Sequence, residues 1–466
     1  MASEAELVEM IDRQRVDELT TKFAEPDWVR DNRLQAWEAY LQTPMPDSKN
    51  ESWRRTDLTG LDLTRLQAAN LETARQVEKL PALPQWYQSA VGHFSDQSGV
   101  LFQTTKNGGY LKLNEALAAK GVIFCDIATA IDKHPEKIKP YLTRELETDK
   151  FTLLTRALFN CGAFLFVPAN VEIEHPFLFG LGFSGKTGAT EFGGAIFPRV
   201  IVVAEDNSKV DMVCTLGPES DEAQAATQLS LASIIVDVHA KANAKVSLLE
   251  VQELNSDVFL IESLNSRVSR DGYFNSLTVG VGSNQTKSDI STYLQAPGAH
   301  SAVLGAVLGD GTEHFNFNTV QEHNAPDTRS EINFKVALKD ASSSVYQGVI
   351  RVAKVAQRTD AYQSNKNLLL GTDARADSIP KLEILANDVK CSHGATVGPV
   401  DRDQLFYLRS RGLTESEAEE LILLGFFRQV LEQFAMKQAT DWLTEVVSRK
   451  AFRKTQTKPQ QPTGVK

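Results

Sequence analysis

Asn207-Ser208-Lys209-Val210-Asp211-Met212-Val213 and Asn243-Ala244-Lys245-Val246-Ser247-Leu248-Leu249 are near copies of one unit, 36 residues apart. Each is a polar turn opened by asparagine that runs into a strand-like stretch of branched and apolar residues. The surroundings share that texture. From about residue 160 to 400 the chain consists of short runs rich in Val, Ile, Phe and Thr. FLFVP, RVIVVAED, SIIVDVHA, AVLGAVLG and EINFKVAL are examples, broken by Gly, Asn, Asp and Ser every ten to fifteen residues. A turn-then-strand unit recurring in a long all-β stretch predicts stacked coils, a β-solenoid in which each coil buries its inward face against the next. A β-sandwich is the other architecture that fits the same pattern.

Helical patterns flank this zone. Before it, residues Ala2 to about Val91 read as helical, with Trp28, Leu34, Trp37 and Tyr40 at helix-like spacing after the Glu25-Pro26 break. PMPDSKNES reads as a linker. A second helical patch, Asp126 through Leu142, leads into the β zone. After it, Thr414-Glu415-Ser416-Glu417 forms a capping box, in which hydroxyl and carboxylate each satisfy an orphan N–H. The helix it opens is expected to run through Ala418, Leu421, Ile422 and Leu424 to a C-cap at Gly425. Phe426 to Lys437 and Asp441 to Phe452 continue with amphipathic spacing. The tail KTQTKPQQPTGVK is Pro/Gln/Lys-rich and reads as disordered.

Composition limits the function classes. At 466 residues the chain can bury a large core, and 42% hydrophobic with 23% charged residues is ordinary for a globular protein. A net charge of −11 argues against nucleic acid as the main partner, because phosphate binding needs a basic face. MASEAELVEMIDRQR lacks the basic n-region and apolar core of a signal peptide, so a cytoplasmic location is expected. That also counts against a secreted, carbohydrate-active solenoid. Cys125, Cys161, Cys214 and Cys391 are widely spaced, with no CxxC, and read first as small buried hydrophobes.

Gly180-Leu181-Gly182-Phe183-Ser184-Gly185-Lys186-Thr187 matches the phosphate-binding pattern GxxxxGK[ST] letter for letter. That motif works only if a helix begins at the lysine and points its N–H groups at the phosphates. Gly188, Gly193, Gly194 and Pro198 follow instead. At about 1 kcal/mol per glycine and about 3 for an interior proline, the required helix should not form. A P-loop ATPase is therefore a remote alternative, and a glycine-rich turn between strands is the expected structure.

Cys391-Ser392-His393 places a thiol and an imidazole two residues apart, so on an extended strand they share a face with Val389 and Ala395. Both are metal donors, yet two donors cannot close a four-coordinate site, so further ligands must come from elsewhere. The plainer reading is that both line an apolar interior. His300, His314 and His323 read as turn and rim histidines, with Glu313 and Glu322 beside two of them.

Long, ordered stretches resemble the SufB/SufD family of SUF iron–sulfur cluster assembly scaffolds. WVRDNRLQAWEAY and SWRRTDL resemble its N-terminal helical domain, and GVIFCDIATAIDKHPEKIKPYL is similar to its helical entry segment. The stretch from ASSSVYQGVIRVAK to LEILANDVKCSHGATVG resembles its most diagnostic segment, and QLFYLRSRGLTESEAEELILLGFF the start of its C-terminal helical domain. GTDARADSIP stands where the SufB paralogue carries a CGxHTFPY-like segment, and Gly394 stands where SufB has a glutamate, so the SufD branch fits better.

The resemblance implies a mainly β fold: a right-handed parallel β-helix flanked by N-terminal and C-terminal α-helical domains. It divides the chain into 1–158 as helical domain and entry segment, 159–404 as β-helix, 405–454 as the SufC-docking helical domain, and 455–466 as disordered tail. It implies a non-catalytic scaffold subunit that pairs with SufB, binds the ATPase SufC, and builds a transient iron–sulfur cluster at the subunit interface. The family's functional histidine falls on His393 and the cysteine two before it on Cys391. A SufB-like paralogue and a homodimeric scaffold remain open. The family has been linked to flavin, but the sequence shows no flavin fingerprint.

Overall fold

The structure, a computed structural model, describes residues 11–69, 72–105, 108–143, 149–185, 193–220 and 228–452. From Cys161 onward the strands alternate between two sheets, apart from the consecutive Gly193–Ile196 and Pro198–Ala204 in one of them, and each sheet has 11 strands among the described residues. One sheet stacks Cys161–Val167, Pro198–Ala204, Ser230–Ala240, Val258–Val268, Gln285–Leu294, His314–His323, Ser343–Val352 and Arg375–Ile384 in parallel. The other stacks Phe177–Phe183, Lys209–Pro218, Lys245–Gln252, Tyr273–Gly280, His300–Gly309, Arg329–Leu338, Thr359–Leu369 and Val389–Pro399, again in parallel. Each coil thus gives one strand to each sheet, which is a parallel β-solenoid. The two near-copy segments lie in direct register, Lys209 against Lys245 and Val213 against Leu249.

The turn that opens each copy has a physical cause. Asn207 and Asn243 sit at φ +57° and +56°, in the left-handed region that asparagine tolerates better than most residues. Asn170, Asp271, Asp327 and Arg358 occupy the same corner in other coils at +62°, +52°, +58° and +60°. Their backbone N–H groups donate across to the neighbouring coil: Asn207 to Ala242 O (2.8 Å), Asn243 to Arg270 O (2.9 Å), Asp327 to Gln357 O (2.9 Å) and Arg358 to Asp388 O (2.6 Å). Side chains add a second ladder, from Asn243 Nδ2 to Asn207 Oδ1 and from Asn207 Nδ2 to Asn170 Oδ1, both 3.0 Å.

The solenoid interior is apolar, with Phe317, Phe334 and Tyr346 stacked at ring separations of 5.4 and 5.2 Å. It is not uniformly so. Glu250 and Glu262, 4% exposed each, are hydrogen-bonded to one another, with Thr278 Oγ1 donating to Glu250 (3.2 Å) and Ser288 Oγ to Glu262 (2.7 Å). Burial raises both carboxyls, and the neighbouring carboxyl raises Glu250 further. Two carboxylates in a dry interior cannot both ionise cheaply, so the pair holds a proton at neutral pH.

Helices pack along the flanks of the solenoid. Asp27–Gln42 packs on Lys150–Leu158, where the buried Arg33 pairs with Glu25 at 2.7 Å and donates to Ala157 O at 3.0 Å. The zone before Val91 also carries strands Leu66–Ala68 and Ala74–Gln76, which join the sheets between the helices. PMPDSKNES is not a free linker: it ends beside Trp53, which is 3% exposed and stacked on Phe151. The C-terminal capping box is present at Thr414 and Glu417. The helix it opens does not stop at Gly425 but runs Glu415–Leu431, because Leu423, Phe427, Val430 and Leu431 bury against the solenoid. That burial outweighs the roughly 1 kcal/mol a helical glycine costs. The last helix, Ala439–Ala451, is clamped by Lys450 Nζ to Asp310 Oδ1 and Glu313 Oε1, both at 2.7 Å. Burial pushes Glu313 up to about 7 against the pull of Lys450. No helix among the described residues is long and apolar enough to cross a membrane.

The buried carboxyl pair makes a pH prediction. A carboxyl whose folded pKa is raised holds its proton more tightly folded than unfolded. Its contribution is therefore fullest below the ordinary glutamate range near 4.3 and is lost as pH rises through the folded value. Glu250→Gln keeps the shape and removes one titration. We expect its melting temperature to fall less between pH 5 and pH 8 than that of the parent chain. Parallel melting curves against pH would contradict the shared proton.

Candidate functional site

The phosphate-loop pattern fails first. Gly180 to Phe183 lie in the strand Phe177–Phe183, and Gly193–Ile196 and Pro198–Ala204 are strands as well. The described part of the segment after the pattern is therefore sheet where an ATP site needs helix; Lys186 and Thr187 lie outside the described residues. Among the four cysteines, Cys125, Cys161 and Cys214 are buried and Cys391 is half-buried. Burial raises the thiols of the first three far above the ordinary range, so they are inert core residues.

The histidine group also separates. His300 packs its ring on Tyr273 at 4.9 Å, and His314 Nδ1 meets Ser343 Oγ at 2.8 Å. His323 is not a rim residue. It is fully buried between Thr328 Oγ1 (2.8 Å) and Ser330 Oγ (2.9 Å), and burial lowers it to about 4, so it stays neutral. Alternation places it inward, and the inward face of a solenoid is core. Among the described residues no group of three or more His, Cys, Asp and Glu is arranged to hold a metal.

Cys391 and His393 sit on Val389–Pro399, the last strand of its sheet, which among the described residues pairs only with Thr359–Leu369. Register sets Cys391 against Ala361 and His393 against Gln363. Cys391 joins a small apolar cluster with Ile350, Val352, Ala361 and Ala386, so this face points inward. His393 on the same face is nonetheless exposed, because no further coil of the described residues covers it. Burial, then Asp360, raises the Cys391 thiol, so in the chain alone it is protonated at neutral pH.

Sequence reasoning missed Gln363. It is 1% exposed, lies beside His393 in register, and neither atom of its amide has a hydrogen-bond partner. Nothing in the local pattern distinguishes this glutamine; only the coil stacking puts it under the open end. The adjoining last strand of the other sheet, Arg375–Ile384, is similarly uncovered. With it come the exposed apolar side chains Leu385 (72%) and Val397 (46%).

Comparison with known proteins gives this solenoid a family. Residues 186–426 match the model for the SUF system FeS cluster assembly SufBD core domain, and residues 1–178 match the SufBD protein N-terminal region. The chain belongs to the SufBD family. It is similar to the iron–sulfur cluster assembly protein SufD of Bacillus subtilis, 29% identical over 94% of this chain and 98% of that one. It is also similar to an iron–sulfur cluster assembly SufBD family protein of Staphylococcus haemolyticus, 26% identical over 91% of this chain and 90% of that one.

Thiol accessibility checks the site directly. A disulfide reagent such as DTNB should label about one thiol per native chain, with a rate still climbing above the ordinary thiol range near pH 8.5. Cys391→Ser should abolish that fast label. Rapid labelling of two or more thiols, or a rate that levels off near pH 7, would contradict the burial and ionisation described.

Proposed function

We propose that this chain is a non-catalytic scaffold subunit that builds iron–sulfur clusters together with a SufB-type partner and a SufC-type ATPase. The reading is carried by one observation: Cys391 and His393 project from the last, uncovered strand of the solenoid. An uncovered strand presents a row of unpaired N–H and C=O groups that a second sheet can continue. A partner docked there brings its own donors to the same place, which completes a coordination set that two side chains cannot. The cluster is the cargo of this site. His393 offers a neutral imidazole lone pair to iron or moves a proton, and Cys391 offers a thiolate once a neighbouring cation or iron lowers its pKa. A second copy of this chain would fit the same edge and supply the same pair again. The work of ATP hydrolysis falls to the ATPase partner in the cytoplasm. In this reading residues 1–158 and 159–404 form the helical and β-helix units, and 405–454 docks the ATPase.

His393→Ala should change the melting temperature little, within the roughly 0.5 kcal/mol expected of an exposed substitution, while strongly reducing the iron and sulfide content of the assembled complex. Cys391→Ser should be milder, since the partner supplies thiolate. A lowered melting temperature with normal cluster content would make His393 a structural residue.

The ATPase surface needs variants that spare the core. Leu423, Phe427 and Trp442 are buried against the solenoid, so deleting the C-terminal helices uncovers core. Phe406 (73%), Tyr407 (56%) and Leu421 (52%) are exposed on Arg402–Ser410 and Glu415–Leu431. Phe406→Ser with Leu421→Ser should weaken pull-down of the ATPase at least ten-fold while leaving the SufB-type partner bound. Unchanged ATPase binding would move the contact elsewhere.

A further inference from the structure

A groove of about 610 Å³ lies at the seam between the solenoid and the C-terminal helices. Two corners of the coil stack, at Asp340 and Asp373, form one side; Glu419 and Glu420 on the helix Glu415–Leu431 form the other, with the buried Leu423 between. Asp340 and Asp373 are exposed, and Glu419 and Glu420 are half-buried. Among the described residues of the lining these four carboxyls face one ammonium, Lys339, whose Nζ already donates to Ala451 O at 2.8 Å. Burial raises the Glu419 carboxyl and the nearby Glu415 raises it further, against the pull of Lys339. The groove thus carries negative charge in excess.

What can cover it is set by the chain itself. Phe452, 38% exposed, lines the same groove and is the last described residue, so the chain continues from the groove. Residues 453–466, and with them the tail expected to be disordered, lie outside the described residues. Covalent geometry still limits where they begin. At no more than about 3.6 Å per residue, Lys454 lies within roughly 7 Å of Phe452 along the chain, and Lys458 within roughly 22 Å. Segment 453–466 holds four cations, Arg453, Lys454, Lys458 and Lys466, and no Asp or Glu, in a chain whose net charge is −11. Tethering gives a segment so placed an effective concentration of about millimolar, so contacts too weak to hold a free peptide suffice. A basic segment of another molecule would have to displace it.

We propose that this groove is the docking site of the chain's own basic segment 453–458, whose cations pair with Asp373, Glu419 and Glu420. The contact does not depend on the cluster chemistry. Zero-length carbodiimide cross-linking of the full chain at micromolar concentration, mapped by mass spectrometry, tests it. A mixture of isotope-labelled and unlabelled chain separates links within one molecule from links between two. The expected result is a link within one molecule from Lys454 or Lys458 to Asp373, Glu419 or Glu420. Its yield should fall at least ten-fold as salt rises from about 0.05 to about 0.5 M, which shortens the reach of exposed charges to a few ångströms. Arg453→Gln with Asp340→Asn leaves every cross-linking group just named in place and should still lower the yield at least three-fold. The salt series carries the test if that variant melts early. No such link, a yield spread evenly over carboxyls elsewhere on the chain, or a yield indifferent to salt overturns the proposal. So do links found chiefly between labelled and unlabelled molecules, which would make the groove a contact between copies.

Discussion

The left-handed corner that precedes the strands of the second sheet is the constraint on which the rest of the molecule depends. At Asn170, Asn207, Asn243, Asp271, Asp327 and Arg358 the chain must turn with φ near +55°, and at each the corner N–H points along the stack to the next coil's carbonyl. The turn costs conformational energy for any residue with a Cβ. A hydrogen bond made only when the next coil is in place offsets that cost. Folding of a coil is therefore tied to the presence of its neighbour, as in any repeat structure whose units cannot stand alone. Arg358 shows the limit. It is a poor left-handed residue, and it is held by both Asp327 oxygens, at 2.6 and 2.5 Å, as well as by its bond to Asp388 O.

The same dependence locates the open end. Inward-facing residues of every interior coil are buried by the coils on either side, which is why Phe317, Phe334 and His323 are almost fully enclosed. The last coil has a neighbour on one side only. Cys391 and His393 occupy inward positions by alternation, yet one is half-buried and the other exposed. Arg375–Ile384 and Val389–Pro399 are exposed along much of their length for the same reason. Inward polar residues that would be costly in a closed core stay accessible when the core is left open.

Parts of this were legible in the sequence and parts were not, for physical reasons. The match at Asn207 and Asn243 was visible because both corners, like the one before them at Asn170, use asparagine and because the two strands that follow both begin Lys-Val. Later corners use Asp271, Asp327 and Arg358, and the last two stand 31 residues apart instead of 36. The backbone requirement persists while both the letter and the period drift, so the repeat disappears from the sequence after one cycle. Gly425 looked like a helix end because local propensity cannot see the solenoid surface that Leu423 and Phe427 bury against. Cys391 and His393 could be paired on one face from spacing alone, but their exposure depends on where the stack stops. Gln363 had no local signal at all, since its neighbour in space is one coil away.

What a second chain would have to bring to Cys391, if the proposed site is used, follows from the ionisation of its thiol. Cys391 lies partly among Ile350, Ala361 and Ala386, and Asp360 adds a negative charge nearby, so both influences hold its proton on. A thiol in that state is a poor iron ligand. Closing the open edge with another subunit would bury the thiol further and by itself raise its pKa more. Docking can therefore activate Cys391 only if it brings positive charge, as iron or as a basic side chain, to within a few ångströms. An imidazole, unlike a thiol, ligates in its neutral form. If the proposed site is used, Cys391 can therefore ligate only once such a charge is present.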